Sequence, residues 1–275
     1  MKTIIVPTDF SPTATNATHY AMDMALAINA NILLFHAYQL PLAIGETPLM
    51  LLSVDEMKDA AEAKLAQVKK DFEHITSGKL QINTESRLGN LSDELEDCCN
   101  KNQPFCVIMG TQGHSAVERV IFGSNTLSVI KHLTWPVICI PTGKEYGTGI
   151  KKIGMACDFR EVKETTPTSV IKTFVNEFKA ELHVLNVDYD NRHFSPDTPH
   201  ELILLKTALQ DLKPQYHYLE HKDIEDGINE FAETNNLDMV ITIPKKHKLL
   251  EGLFKKSSSR QLVFQSHIPV MCIHE

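Results

Sequence analysis

The chain is written twice, and that constrains its fold more than any other feature of the sequence. TIIVPTDF (Thr3–Phe10) aligns with KIGMACDF (Lys152–Phe159) at an offset of 149, which places Asp9-Phe10 on Asp158-Phe159. NILLFHAY (Asn31–Tyr38) aligns with ELHVLNVD (Glu181–Asp188) at an offset of 150. From about Ile82 onward the offset is 133. It places Val107-Ile108 on Val240-Ile241, Ser124 on Ser257, and Pro136-Val137-x-Cys139-Ile140 on Pro269-Val270-x-Cys272-Ile273. The first copy therefore carries about 17 extra residues, where QLPLAIGETPLMLLS (Gln39–Ser53) lies. With 275 residues, each copy is long enough to bury its own core. The glycines of TGKEYGTGIK (Thr142–Lys151) read as a linker. Domains at 1–143 and 150–275 are the expectation.

Within each copy, short apolar runs alternate with amphipathic stretches. The first copy predicts strands at Thr3–Thr8, Asn31–Ala37, Gln81–Ser86, Phe105–Gly110 and Pro136–Ile140. Between the first two lies Thr13–Ile28, with Ala17, Ala21, Met24, Ala25 and Ile28 spaced by three and four as on one helix face. Short apolar strands alternating with helices imply a parallel sheet covered on both sides. The expected class is α/β: two tandem five-stranded, Rossmann-like domains, with ligands beyond the carboxyl ends of the strands near the switch in strand order. Both fifth strands, WPVICIP and IPVMCIH, are apolar edges that a protein must cover.

Composition excludes several classes. The net charge is −8, with 11 Lys and Arg against 16 Asp and Glu in residues 1–147, leaving 16 against 19 in 148–275. Neither half has a basic footprint for nucleic acid. No apolar run approaches the roughly 18 residues of a membrane span. MKTIIVPTDF reads as a first strand rather than a signal peptide. The six cysteines, Cys98, Cys99, Cys106, Cys139, Cys157 and Cys272, form no C-x-x-C pair and are expected as buried thiols in a reducing cytoplasm. His217 and His221 in QYHYLEH are expected to be exposed strand-end residues, not zinc ligands.

One pattern points to chemistry. In GTQGHSAVERVIFGSN, Gly110, Gly113 and Gly123 frame a loop that leaves the fourth strand and leads to a helical run, Asn125–His132, with Ser124 as its expected N-cap. Glycines allow a sharp turn and close approach of a ligand. A helix start offers free N–H groups to phosphate. Ser11 and Pro12 read as the N-cap and first residue of another helix, which leaves the Asp9 carboxylate at the cleft to accept from a ribose hydroxyl. The second strand ends at Ala37, whose backbone suits a flat base. His36 and His114 border the cleft. In the second copy Gly110, Gly113 and Gly123 become Ile243, Lys246 and Lys256, and Ala37 becomes Val187. That loop gains Lys245, Lys246, Lys248, Lys255, Lys256 and Arg260, which read as a solvated basic face, with an anion or partner site as the alternative.

TIIVPTDFS, LLFHAY and the G-x-x-G-x9-G-S spacing resemble the universal stress proteins, in a tandem two-domain form that covers essentially the whole chain. The resemblance implies a site for ATP, or ADP or AMP, in the first domain. Adenine would lie against Pro7-Thr8 and the Ala37 backbone, with ribose near Asp9 and Gly110 and Met109 among the cofactor-binding residues. Phosphates would be held by Gly113, Gly123, Ser124 and Asn125, with Mg2+ or Mn2+ accompanying them. The resemblance also implies that the two fifth strands pair across a pseudo-two-fold axis, so that one chain is a pseudo-dimer; a homodimer of chains remains open. No catalytic residue is assigned. The loop offers backbone N–H groups, and Arg119 is its one cationic candidate, so binding is expected to outweigh hydrolysis. The expected role is nucleotide-regulated stress response through protein partners that the sequence does not name. A slow ATP hydrolase and a nucleotide-free scaffold are the alternatives. The Gln39–Ser53 insert is either a flap over the cleft or a contact surface.

Overall fold

The computed structural model describes residues 1–40, 53–111, 124–190, 195–244, 262–263 and 265–274. The chain divides into two compact units, Met1–Trp135 and Pro136–Glu275.

The first unit runs β1 (Lys2–Pro7), α1 (Pro12–Ile28), β2 (Ala30–Tyr38), α2 (Val54–Ile75), β3 (Ile82–Leu88), α3 (Leu91–Asn102), β4 (Cys106–Gly110) and α4 (Ser124–His132). Its strands lie in the order β3-β2-β1-β4, all parallel. Ile4, Ile5 and Val6 are consecutive and fully buried, so the central strand is covered on both faces as its apolar run requires. The edge strand β3 buries only Ile82. Helix α1 sets Ala17, Ala21, Met24, Ala25 and Ile28 against the sheet, the face its spacing predicts. It meets α2 through His19 and Phe72, whose rings are 4.7 Å apart. Helices α3 and α4 are joined by a hydrogen bond from the Ser92 hydroxyl to Ser128, 2.7 Å long. Helix α2 starts in a capping box between Ser53 and Glu56. The rest of the insert, residues 41–52, lies outside the described residues, and with it the question of a flap.

The second unit runs β5 (Val137–Ile140), β6 (Lys152–Ala156), α5 (Val162–Thr165), α6 (Thr168–Phe178), β7 (Glu181–Asp188), α7 (Thr198–Leu209), β8 (Gln215–Glu220), α8 (Ile224–Thr234), β9 (Met239–Thr242) and β10 (Val270–Cys272). Its order is β5-β10-β9-β6-β7-β8. All neighbours are parallel except β5 and β10, which run antiparallel with Cys139 opposite Val270 and Val137 opposite Cys272. The fifth strand of the first copy thus pairs with the fifth strand of the second, and two fully buried apolar edges cover one another. Among the described residues the compact units hold four and six strands, because β5, the fifth strand of the first copy, clusters with the second unit. The linker turns through Gly143, Gly147 and Gly149, all at positive φ, within this second unit.

One helix departs from the repeat, and one expectation needs revision. The counterpart of α1 is not one helix: α5 holds four residues, Thr166 and Pro167 interrupt it, and α6 restarts at Thr168. His217 is no exposed strand end. It sits in β8 with its Nε2 3.0 Å from Nδ1 of the buried His183 on β7, and its ring lies 4.6 Å from that of Phe231. Burial pushes the pKa of both imidazoles below the usual histidine value; for His183, the neighbouring His217 pushes it further the same way. All six cysteines are free thiols, five of them buried, with Cys157 half-buried.

Candidate functional site

In a parallel sheet of order β3-β2-β1-β4, the chain moves outward from β1 to β3 and then returns to the other side of β1. That reversal opens a crevice beyond the carboxyl ends of β1 and β4. Asp9 just after β1, Ala37 near the end of β2 and Gly110 at the end of β4 bring three of the sequence-selected residues to one edge of one unit.

The end of β1 is a built turn. The Thr8 N–H continues the ladder by donating to the Phe35 carbonyl, at 2.8 Å. Phe10 then takes a left-handed conformation, φ 63°, held by its N–H donating to Thr8 Oγ1 at 3.0 Å. The Ser11 N–H donates to Asp9 Oδ1, also at 3.0 Å. Ser11 caps α1 by accepting from the Ala14 N–H, and Pro12 occupies the first turn, as the sequence predicts. Pro7 and Thr8 are buried, the former in the ladder opposite Phe35. Asp9 is half-buried.

Strand β2 runs one residue past the expected Ala37, to Tyr38, because β3 continues beside it to Leu88. Backbone groups of alternate residues face alternate neighbours. Ile32 and Tyr38 bond toward the β3 side and Phe35 toward β1. By that parity the Ala37 N–H and C=O face the β1 side, two residues beyond Phe35, the last β2 residue in register with β1. A donor and an acceptor on one short edge are what a planar base with adjacent ring nitrogen and amino group can meet.

The end of β4 is tightly fitted. Met109, Gly110 and Thr111 are buried. A Cβ at Gly110 would meet Thr13 Cγ2 at 2.6 Å and the Thr13 carbonyl oxygen at 2.9 Å, so this glycine is required by the approach of α1. The Gly110 carbonyl accepts a 2.9 Å bond from the Thr126 hydroxyl, which fastens the start of α4 to the strand end. Helix α4 begins at Ser124 itself, one residue earlier than its expected role as cap, and Ser124 and Asn125 are exposed in the first turn. Gly113, His114, Arg119 and Gly123 lie outside the described residues. Thr126 and Thr13 were not singled out in the sequence; a threonine two residues past Ser124 and another two past Ser11 carry no pattern that marks them.

The second unit keeps the turn but differs at the neighbouring strand end and helix start. Asp158 Oδ1 accepts from the Arg160 N–H at 3.2 Å, and Phe159 is left-handed with φ 51°. Ile243 stands where Gly110 allows the approach of Thr13, and here the helix start is broken into α5 and α6. The Val162 N–H at the beginning of α5 donates to the Glu201 carboxylate, 2.7 Å away, which puts a negative charge where the first unit has the start of α1. The basic residues from Lys245 to Arg260 lie outside the described residues. Among the described residues no group of three His, Cys, Asp or Glu is placed to hold a metal ion, and no helix is long and apolar enough to cross a membrane.

The model of the family described as Universal stress protein family matches this chain twice, over residues 1–141 and 149–274. The chain belongs to that family, in its tandem form. A universal stress protein of Methanocaldococcus jannaschii is 27% identical over 147 residues, which cover 52% of this chain and 84% of the relative. The crystal structure of a universal stress protein from Archaeoglobus fulgidus superposes with a TM-score of 0.72 at 18% identity, covering 99% of this chain and 98% of that one. A putative universal stress protein from Pseudomonas aeruginosa gives 0.62 at 12% identity, over 100% of this chain and 93% of its own. At such identities these two structures speak for the fold alone.

Proposed function

We propose that the first domain of this universal stress protein, residues 1–143, binds an adenine nucleotide, and that the second, residues 150–275, has given the site up. The observation that carries the reading is the convergence of the Ala37 backbone edge, the Asp9 carboxylate and the Thr126-anchored start of α4 at the switch point of one parallel sheet. The base would meet the Ala37 N–H and C=O beside Pro7-Thr8. The ribose would reach Asp9 and the Met109-Gly110 strand end. The phosphates would lie toward Gly113, Gly123 and the N–H groups of Ser124 and Asn125 at the positive end of α4. An accompanying Mg2+ or Mn2+ would be held mainly by phosphate oxygens and water. Ile243, the broken helix start and the Glu201 carboxylate all oppose a polyphosphate in the second domain. The role that follows is a nucleotide-dependent choice of protein partners in a stress response, in the cytoplasm, with binding rather than turnover as the working event.

The test is to purify the chain without added nucleotide, denature it, and identify the small molecules released by mass spectrometry. The same procedure is applied to Gly113→Lys, which carries the second copy's residue. About one adenine nucleotide per chain, lost in the variant, is the expected result. Two per chain would overturn the assignment of the second domain. None, with no binding of added Mg-ATP, would leave a nucleotide-free scaffold.

A further inference from the structure

Resting on the nucleotide reading, we infer that His36 is the positioning residue for the ribose end of the site, acting by locking the turn that carries Asp9. His36 Nδ1 lies 2.7 Å from the Thr8 carbonyl oxygen, and since a carbonyl only accepts, Nδ1 bears the proton. The ring packs beside Phe10, centroid to centroid 4.6 Å, and against Tyr38 at 6.4 Å. The side chain therefore grips both ends of the Thr8-Asp9-Phe10 turn, the carbonyl that precedes Asp9 and the left-handed residue that follows it.

The second copy provides the control. His36 aligns with Asn186, and the Asn186 amide Nδ2 donates to the carbonyl of Cys157, the counterpart of Thr8, at 2.9 Å. The accompanying bonds recur as well: Cys157 N–H to the Leu185 carbonyl at 2.9 Å, and Phe159 N–H to Cys157 Sγ at 3.5 Å. Two unlike side chains thus deliver one N–H to one carbonyl. That N–H donor, rather than imidazole chemistry, is the property the position needs. A residue that supplies no donor there leaves the Thr8 carbonyl short of a partner and lets the Asp9 turn drift. Small displacements of a hydrogen-bonding carboxylate reduce discrimination for the group it binds before they abolish binding.

The experiment compares ATP with 2′,3′-dideoxy-ATP, each with Mg2+, by calorimetric titration of the full chain, its His36→Asn variant and its His36→Leu variant. The unsubstituted chain is expected to prefer ATP by about tenfold, the lower end for a hydrogen bond to a charged group. His36→Asn is expected to keep that preference, and His36→Leu to reduce it to about twofold while still binding the dideoxy compound as the unsubstituted chain does. Equal dideoxy binding shows that the variant is folded and its phosphate end intact. The inference is overturned if His36→Leu keeps the full ribose preference, if His36→Asn loses it, or if His36→Leu weakens both ligands equally. Absence of any binding by the unsubstituted chain would overturn the nucleotide reading itself, and this inference with it.

Discussion

Asp9 and Asp158 hold the same turn: each accepts, through Oδ1, the main-chain N–H two residues further on, at 3.0 and 3.2 Å. The aspartate retained in the second copy is therefore explained by backbone architecture, as a side chain that closes a turn on its own chain. In the proposed site Asp9 would do the same work and also accept from the ribose. Asp9→Ala and Asp158→Ala should each lower the unfolding free energy by about 1 kcal/mol in urea titrations. Only Asp9→Ala should also weaken adenine nucleotide binding; equal loss from Asp158→Ala would place the ligand in the second domain.

Gly110 is fixed by its neighbour before any ligand is considered. Gly110→Ile, the residue of the second copy, would drive a branched side chain into the Thr13 backbone oxygen. Overpacking of this kind costs about 1–3 kcal/mol, read as a lower denaturation midpoint with an unchanged slope. A variant as stable as the parent would mean that α1 yields here as the broken α5–α6 pair does.

Thr126→Val keeps the shape and removes the hydroxyl that donates to the Gly110 carbonyl. A buried carbonyl left unpaired costs about 1–3 kcal/mol. If α4 carries the phosphate site, the nucleotide affinity should fall as well, since the helix start loses its tie to β4. Unaltered affinity would remove α4 from the site.

The His183–His217 pair makes the second unit sensitive to acid. Both folded pKa values lie below the unfolded one, about 6.5. The unfolded chain therefore binds the extra protons first as pH falls. Stability contributed by this pair is fully present above about pH 6.5 and declines as pH drops below it toward the folded values. The melting temperature should decline across that window, and His217→Gln should flatten the decline. A slope unaffected by the substitution would show that the pair titrates normally.

Thiol accessibility checks the core directly. Cys157 is half-buried, and the other five thiols are buried. Burial raises the pKa of Cys98 to about 11 and of Cys99 to about 12, which further lowers their reactivity. A colorimetric disulfide reagent should react with one thiol quickly in the native chain and with six after unfolding. Cys157→Ala should remove the fast phase; a remaining fast phase would mean that a buried strand opens.

Features governed by residues close together along the chain were legible without coordinates. The alternation of strand and helix, the buried face of α1 and the Ser11-Pro12 helix start follow from periodicity and capping, which operate over a few positions, and the duplication follows from aligning the chain with itself. The convergence of Asp9, Ala37 and Gly110 at one sheet edge was legible too, because parallel α/β topology brings strand ends together by rule. Pairings between distant residues emerge only when the elements pack. His36 and Thr8 stand 28 positions apart, and His183 and His217 stand 34 apart. Gly110 meets Thr13 and Thr126 meets Gly110 only once helices have settled on the sheet. No local pattern encodes such contacts: they depend on register, helix depth and the packing of whole elements, and a shift of an ångström would undo each of them.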